Sequence, residues 1–163
     1  MLAPEPPRAH RSERFLAAIE PFERIYLISH VNPDPDALAS MLGLIALIRA
    51  KQPGKIIQPV YEGMIARAEN QMMVQLLEIP LIPLEQVEFE GSTALVMVDT
   101  QPRAGQADYE EHPPTVVLDH HETPGDLSEV SFVDLRPDLG ATSTIVAGYL
   151  IEQGIPPTPS LAT

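Results

Sequence analysis

The stretch from Ser29 to Ser40, SHVNPDPDALAS, places His30, Asp34 and Asp36 within a few residues of one another. Imidazole nitrogens and carboxylate oxygens are the donors that bind divalent cations such as Mn²⁺. Asp34 and Asp36 lie on either side of Pro35, so their side chains should diverge. One metal could not easily take both carboxylates, but two neighbouring metals could take one each.

Further acidic and imidazole side chains follow apolar runs later in the chain. Asp99 ends the run from Thr93 to Val98, and Asp134 ends the run from Val130 to Val133. Between them, the run from Thr115 to Leu118 is followed directly by three candidate residues, Asp119, His120 and His121.

These apolar runs are predicted to be β-strands that alternate with helices. A strand over 25–29 precedes the Ser29 loop, and a buried helix over 36–51 follows it. The alternation predicts an α/β fold with a mostly parallel β-sheet flanked by helices on both faces. In such a sheet the carboxyl ends of the strands lie along one edge, where ligands bind.

Ordinary local structure could explain parts of this pattern. Asp36 is well placed to cap the following helix, and Asn32 and Pro33 are common in turns. Ser143 and Thr144 open the final predicted helix, where they could bind phosphate through backbone N–H groups or simply cap it. For the Ser29 loop taken alone, the structural and the functional interpretations both remain open.

The carboxylates taken together favour a metal site. Several carboxylates at one sheet edge repel one another unless cations lie between them. Two divalent ions, with Mn²⁺ preferred and Mg²⁺, Co²⁺ or Zn²⁺ as alternatives, would remove that repulsion. They would also supply a metal-activated hydroxide and a cationic clamp, which phosphoester hydrolysis requires.

The order of these motifs resembles the DHH phosphoesterase superfamily. The segment from His30 to Ala37 is similar to its first motif, H-x-x-x-D-x-D-A, and Asp119 to His121 to its DHH signature. Asp99 and the stretch from Asp134 to Thr144 are similar to its second and fourth motifs. The superfamily includes RecJ-type single-strand exonucleases, oligoribonucleases that also dephosphorylate pAp, cyclic-dinucleotide phosphodiesterases and family II pyrophosphatases.

The resemblance implies a role for each metal-binding candidate. His30 and Asp34 would bind the first metal, and Asp99 would bridge both. The second metal would be completed by Asp36, His120 and Asp134.

The resemblance also implies which residues act on the substrate. His121 would contact the scissile phosphate, and Asp119 would orient an adjacent histidine without itself binding metal. Arg103, soon after Asp99, could hold a substrate phosphate, although an exposed loop arginine is an equally good interpretation. Pro35 stands where many members have glycine, which stiffens the loop.

The composition of the chain limits the kinds of molecule that it is expected to bind. The chain has 163 residues, a formal charge of −13 and no cysteine. Such acidity argues against duplex DNA and favours a small phosphorylated nucleotide or a short single-stranded oligonucleotide, with cations reversing the local field. No signal peptide or membrane span is predicted, which together with the missing cysteines fits a cytoplasmic protein. A homodimer stays open.

The chain is predicted to divide into three parts. Residues 1–11 are expected to be a disordered leader, with Ser12 capping the first helix. Residues 12–154 are expected to form the DHH phosphoesterase domain. Residues 155–163, rich in proline, are expected to be a linker toward a second domain that is absent here, and that domain usually carries a Gly-rich substrate-binding motif.

Two other function classes compete with a phosphoesterase. A non-catalytic nucleotide-sensing module could retain the fold, but it would be free to lose some of these ligands. A receiver-type signalling domain also groups acids around Mg²⁺. It has no use for His30 or for the run from Asp119 to His121, and no lysine ends the strand after Asp99.

Overall fold

The computed structural model describes residues 9–102, 112–122 and 127–162. Within these ranges it contains six β-strands, four α-helices and one short 3-10 helix. In chain order they are α1 (Arg11–Ile19), β1 (Arg24–Ile28), α2 (Pro35–Lys51), β2 (Ile56–Tyr61), α3 (Ala68–Leu76), β3 (Ile82–Pro83), the 3-10 helix (Leu84–Gln86), β4 (Thr93–Val98), β5 (Val116–Asp119), β6 (Phe132–Leu135) and α4 (Thr142–Glu152).

The six strands form one sheet in the order β3-β2-β1-β4-β5-β6, and every pairing in it is parallel. β1 and β4 lie side by side, but the chain leaves β1 toward β2 and leaves β4 toward β5. These connections run in opposite directions, so they open a crevice beyond the carboxyl ends of the two strands. Ile28 is in register with Met97, and Val98 with Leu118, so the residues that follow these strands are neighbours.

Three α-helices cover one face of the sheet. The core there joins α1, α2 and α4 to β1, β4 and β5, and the rings of Phe15 and Tyr149 lie 5.8 Å apart within it. Most positions of α2 are buried on every side of the helix, as expected of a helix enclosed between a sheet and other helices. A Cβ at Gly43 would lie 2.6 Å from Cγ1 of Val146, so glycine is what allows α2 and α4 to approach so closely.

The other face carries a second apolar cluster. Tyr26, Leu95 and Val117 pack there against Leu84 of the 3-10 helix and against Phe89. Helical segments therefore lie on both faces of a parallel sheet, and the predicted α/β fold is confirmed. No helix among the described residues is both long and apolar enough to cross a bilayer.

Three local predictions are corrected by the structure. Helix α1 begins at Arg11, inside the predicted leader, and the Ser12 hydroxyl accepts a hydrogen bond from Gln153 instead of capping the helix. Asp34, and not Asp36, caps α2, because its side chain accepts from the backbone N–H of Ala37. Strand β6 runs from Phe132 to Leu135, so Asp134 lies inside the strand and not after its end.

Candidate metal centre

The loop between β1 and α2 holds its acidic residues in place through the first turn of the helix. Asp34 accepts a hydrogen bond of 3.1 Å from the N–H of Ala37, and Pro35 occupies the first helical position. Asn32 adopts a positive φ of 60°, and its side-chain oxygen accepts from the N–H of Met64 at 2.8 Å. The loop is thus held to the segment after β2, and Asn32 gives it its shape.

Asp99 follows β4 directly and has an unusual backbone. Its φ is 58°, a left-handed conformation that residues other than glycine adopt infrequently, and its N–H donates to the carbonyl of Leu118 at 2.9 Å. Such conformations concentrate at functional sites, where surrounding contacts hold them. The side chain is only 3% exposed.

The two oxygens of the Asp99 carboxylate face two different histidines. Oδ2 lies 3.5 Å from Nε2 of His30, and Oδ1 lies 3.5 Å from Nε2 of His120. One carboxylate thus connects the loop after β1 to the segment after β5.

A first group of three donors forms on the β1 side. Ligand atoms of His30, Asp34 and Asp99 all lie within 4.8 Å of one another. Nε2 of His30 is 3.9 Å from Oδ1 of Asp34, while its Nδ1 is 3.0 Å from the carbonyl of Val31. This contact leaves Nε2 as the nitrogen available to a cation.

A second group forms on the β5 side. Ligand atoms of Asp99, His120 and His121 also lie within 4.8 Å of one another, and Oδ2 of Asp36 is 3.9 Å from Nε2 of His120. The two oxygens of Asp36 accept from the N–H groups of Thr142 and Ser143, each at 2.8 Å. The start of α4 therefore aligns Asp36 beside His120, and the Ser143 N–H, considered above as a phosphate donor, is already engaged.

Behind this second group, Asp119 orients His121. Oδ1 of the buried Asp119 lies 2.8 Å from Nδ1 of His121, and Gln101 donates to Oδ2 at 2.8 Å. Because a carboxylate only accepts, this geometry assigns the proton to Nδ1 of His121 and leaves Nε2 as an acceptor in the neutral ring. The His121 side chain is 58% exposed, so it can meet a bound molecule.

Hydrogen bonding to Asp99 raises the pKa of His30 from its ordinary 6.5 to about 9, with partial burial opposing the shift. The backbone carbonyl of Val31 and the charge of Asp34 raise it further. Without a cation, a proton on His30 therefore offsets part of the negative charge between the two carboxylates. A metal ion at the same nitrogen would have to displace it.

The donor set suits divalent cations. Carboxylate oxygens with imidazoles match Mn²⁺, Mg²⁺, Co²⁺ or Zn²⁺ without selecting among them. Both groups line one cavity of about 740 Å³, and the chain lacks cysteine as a softer donor. Five of the predicted metal ligands meet here: His30, Asp34, Asp36, Asp99 and His120.

Asp134, the sixth predicted ligand, lies elsewhere, so it is removed from the ligand set. Its fully buried carboxylate accepts hydrogen bonds from Arg11 and from the hydroxyl of Tyr149, the latter at 2.7 Å. Asp134 lies inside β6 in register with Leu118, so both side chains point to the face of the sheet that the helices cover. The Asp134 side chain therefore lies away from the crevice. Arg103 lies outside the described residues.

Two residues at the site were not predicted from the sequence. Gln101 holds Asp119, and the buried Thr142 hydroxyl donates to Oδ1 of Asp99 at 2.8 Å. Thr142 belongs to the helix start that the sequence indicates, where Ser143 and Thr144 are the residues predicted to cap the helix or bind phosphate. Gln101 carries no distinctive signal beyond its place two residues after Asp99.

The fold and this cluster define an α/β protein with a candidate metal centre at the switch point of its sheet. The model of the DHH family, N-terminal domain, matches residues 24–163, and the chain belongs to that family. The resemblance seen in the sequence is thereby confirmed.

Individual relatives are consistent with this assignment. An uncharacterised protein of Methanocaldococcus jannaschii is 34% identical over 139 residues, which are 85% of this chain and 28% of the relative. A probable bifunctional oligoribonuclease and PAP phosphatase, NrnA, of Streptococcus mutans is 26% identical over 139 residues, 84% of this chain and 41% of the relative. The chain therefore spans less than half the length of either relative.

The fold also matches a solved structure. An exopolyphosphatase-related protein from Bacteroides fragilis superposes with a TM-score of 0.57 at 18% identity, over 89% of this chain and 44% of that one. At this identity the match supports the fold alone.

Proposed function

We propose that this chain is the DHH domain of a phosphoesterase that uses two divalent cations, preferably Mn²⁺, to hydrolyse a small nucleotide or a short single-stranded oligonucleotide. Family membership supports phosphoester hydrolysis in general, and the Streptococcus mutans relative carries a name in the same class. The single observation that carries the two-cation proposal is the Asp99 carboxylate, with one oxygen facing His30 and the other facing His120.

The ligands divide between the two ions around Asp99. His30, Asp34 and Asp99 would hold the first ion, and Asp99, Asp36 and His120 would hold the second. When bound, such ions make a water molecule more acidic and neutralise phosphoryl oxygens. The chain's own residues set the spacing, because α2 fixes Asp34 and α4 fixes Asp36.

The remaining side chains would act on the substrate. His121, oriented by Asp119, would contact the scissile phosphate as charge develops there. Gln101 would keep Asp119 from turning away. Arg103 remains a predicted phosphate contact from the sequence alone, as do the cytoplasmic location and any homodimer.

The test measures hydrolysis by the protein as its gene encodes it. Adenosine 3′,5′-bisphosphate and a short oligoribonucleotide are offered with Mn²⁺ or with EDTA, to the parent and to Asp99→Asn. The matched control is Asp138→Asn, the same change on an exposed loop carboxylate. Hydrolysis that needs Mn²⁺ and Asp99 supports the proposal. Nucleotide binding with no hydrolysis under any condition would instead favour a sensor.

A further inference from the structure

A second cavity adjoins the candidate metal centre. It has a volume of about 350 Å³ and shares two of its walls, His30 and Asp34, with the larger cavity. Its other walls are Asn32, Ala66, Arg67 and Asn70, from the loop after β1 and from the start of α3. We call it the Arg67 pocket. The first group of ligands therefore borders both cavities.

Arg67 gives this pocket a charge that the metal centre lacks. Among the described residues that line the two cavities, Arg67 is the one lysine or arginine. Its side chain is exposed, and no ion pair links its guanidinium to another described residue. In a chain of net charge −13, an unpaired arginine beside an acidic cluster suits an anion that is brought there with the substrate.

Asn70 connects the same wall to the loop after β1. The residue is 3% exposed, and its amide nitrogen donates to the carbonyl of Pro33 at 3.1 Å. Its Oδ1 is buried and has no hydrogen-bond partner among the described residues. That oxygen is enclosed by protein and is not open to the pocket, so Asn70 fixes the shape of the wall, and Arg67 is the group that would bind a ligand.

From the position and charge of Arg67 we infer that the Arg67 pocket binds a second phosphate of the substrate. Arg67 would pair with the phosphate that is not hydrolysed. The volume exceeds what a phosphate alone needs and lies within the range of small-ligand sites. This inference rests on the proposed function, and it makes Arg67 the residue that selects doubly phosphorylated substrates.

The test compares two nucleotides that differ in one phosphate. Affinities for adenosine 5′-monophosphate and adenosine 3′,5′-bisphosphate are measured by calorimetry at low temperature with Mn²⁺, and chromatography verifies that each ligand stays intact. The variants are Arg67→Gln, Arg67→Lys and the control Arg49→Gln. Arg49 is exposed in the last turn of α2, whereas the first turn of that helix lies at the metal centre. Both glutamine variants change the net charge equally.

We expect Arg67→Gln to weaken bisphosphate binding by about tenfold or more, the loss typical of a charge-assisted hydrogen bond. Its monophosphate affinity should stay within about twofold of the parent's, a change too small to reflect a lost hydrogen bond. Arg67→Lys should keep part of the selectivity, and Arg49→Gln all of it. Equal losses for both nucleotides, or no greater loss than in Arg49→Gln, would overturn the inference.

The outcomes separate this inference from the proposed function. If binding depends on Arg67 but no phosphoester is hydrolysed, the pocket stands and the phosphoesterase proposal fails. If phosphoesters are hydrolysed while Arg67→Gln binds both nucleotides as the parent does, the phosphoesterase proposal stands and the inference about the Arg67 pocket fails. Binding of neither nucleotide would overturn this inference, and the hydrolysis assay would decide the proposed function separately.

Discussion

The hydroxyl of Thr142 donates a 2.8 Å hydrogen bond to Oδ1 of Asp99, which joins the first residue of α4 to the end of β4. Both residues are buried, and the same Asp99 oxygen faces His120. Thr142 thus holds the carboxylate whose two oxygens face the two groups of ligands. Groups that orient metal ligands in this way typically change metal affinity by 10- to 100-fold when removed.

Thr142→Val should therefore weaken Mn²⁺ binding by about tenfold while the fold persists. The measurement is Mn²⁺ titration by calorimetry, with circular dichroism as the check on folding. Thr144→Val, the same change at an exposed position of α4, is the control and should bind as the parent does. Parent-like affinity in Thr142→Val would mean that Asp99 needs no such support.

Metal should stabilise the folded chain, because the carboxylates come together only in the native state. Mn²⁺ is expected to raise the melting temperature of the parent and of Asp138→Asn, and EDTA should reverse the rise. Asp99→Asn should lose most of the increase, since one carboxylate serves both groups. An equal rise in Asp99→Asn would contradict the shared role.

The raised pKa of His30 predicts how stability depends on pH. A histidine whose folded pKa is about 9 instead of 6.5 stabilises the protein fully below the lower value. This contribution is lost as the pH rises through the higher value. The metal-free chain should therefore become less stable between about pH 6.5 and about pH 9, and His30→Gln should remove this dependence.

The affinity for metal should also depend on the His30 proton, but it should increase with pH where the stability of the metal-free chain decreases. Because Mn²⁺ displaces the proton from His30, its affinity should increase as the pH rises from about 7 toward 9. Calorimetry under argon, in buffers of different ionisation enthalpy, measures the protons released. Binding that releases no proton at neutral pH would show that His30 is not a ligand.

His121 and Asp99 should differ when each is replaced by alanine. His121 is exposed and is held by Asp119 through Nδ1, so its loss should lower kcat while Mn²⁺ stays bound. Asp99→Ala should lose activity and metal together. Metal content by mass spectrometry, measured beside turnover, makes the distinction. If His121→Ala loses metal as completely as Asp99→Ala, His121 is a ligand.

Asp134 should matter for stability and not for metal. Its carboxylate is buried against Arg11 and Tyr149, and its removal leaves the buried Tyr149 hydroxyl without a partner, so Asp134→Ala should lower the free energy of unfolding by about 2 kcal/mol. Mn²⁺ affinity of the folded fraction should match that of the parent. Urea denaturation and metal titration check the two parts. Loss of Mn²⁺ binding would restore the role that the sequence alone suggested.

Much of the site could be predicted from the sequence, because its signals are local. Apolar runs that end in Asp99 and Asp119 indicate β-strands. Because these strands alternate with helices, the sheet is expected to be parallel, and the carboxyl ends of its strands then lie along one edge. His30 and Asp34 are four residues apart in the short loop before α2, so their closeness in space follows from local structure alone. The α/β class follows from the same periodicity.

The tertiary structure alone decided the rest, because it depends on contacts between distant residues. Strand β6 begins and ends two residues later than predicted, so Asp134 lies inside the strand. Its side chain is in the core, where Arg11, 123 residues away in the chain, donates to it. The support of Asp99 by Thr142 likewise requires the strand order and the packing of α4, and so does the placement of Arg67 and Asp34 around one cavity. Local periodicity carries no information on which distant side chains will fill one cavity, since strand order and helix packing set those distances.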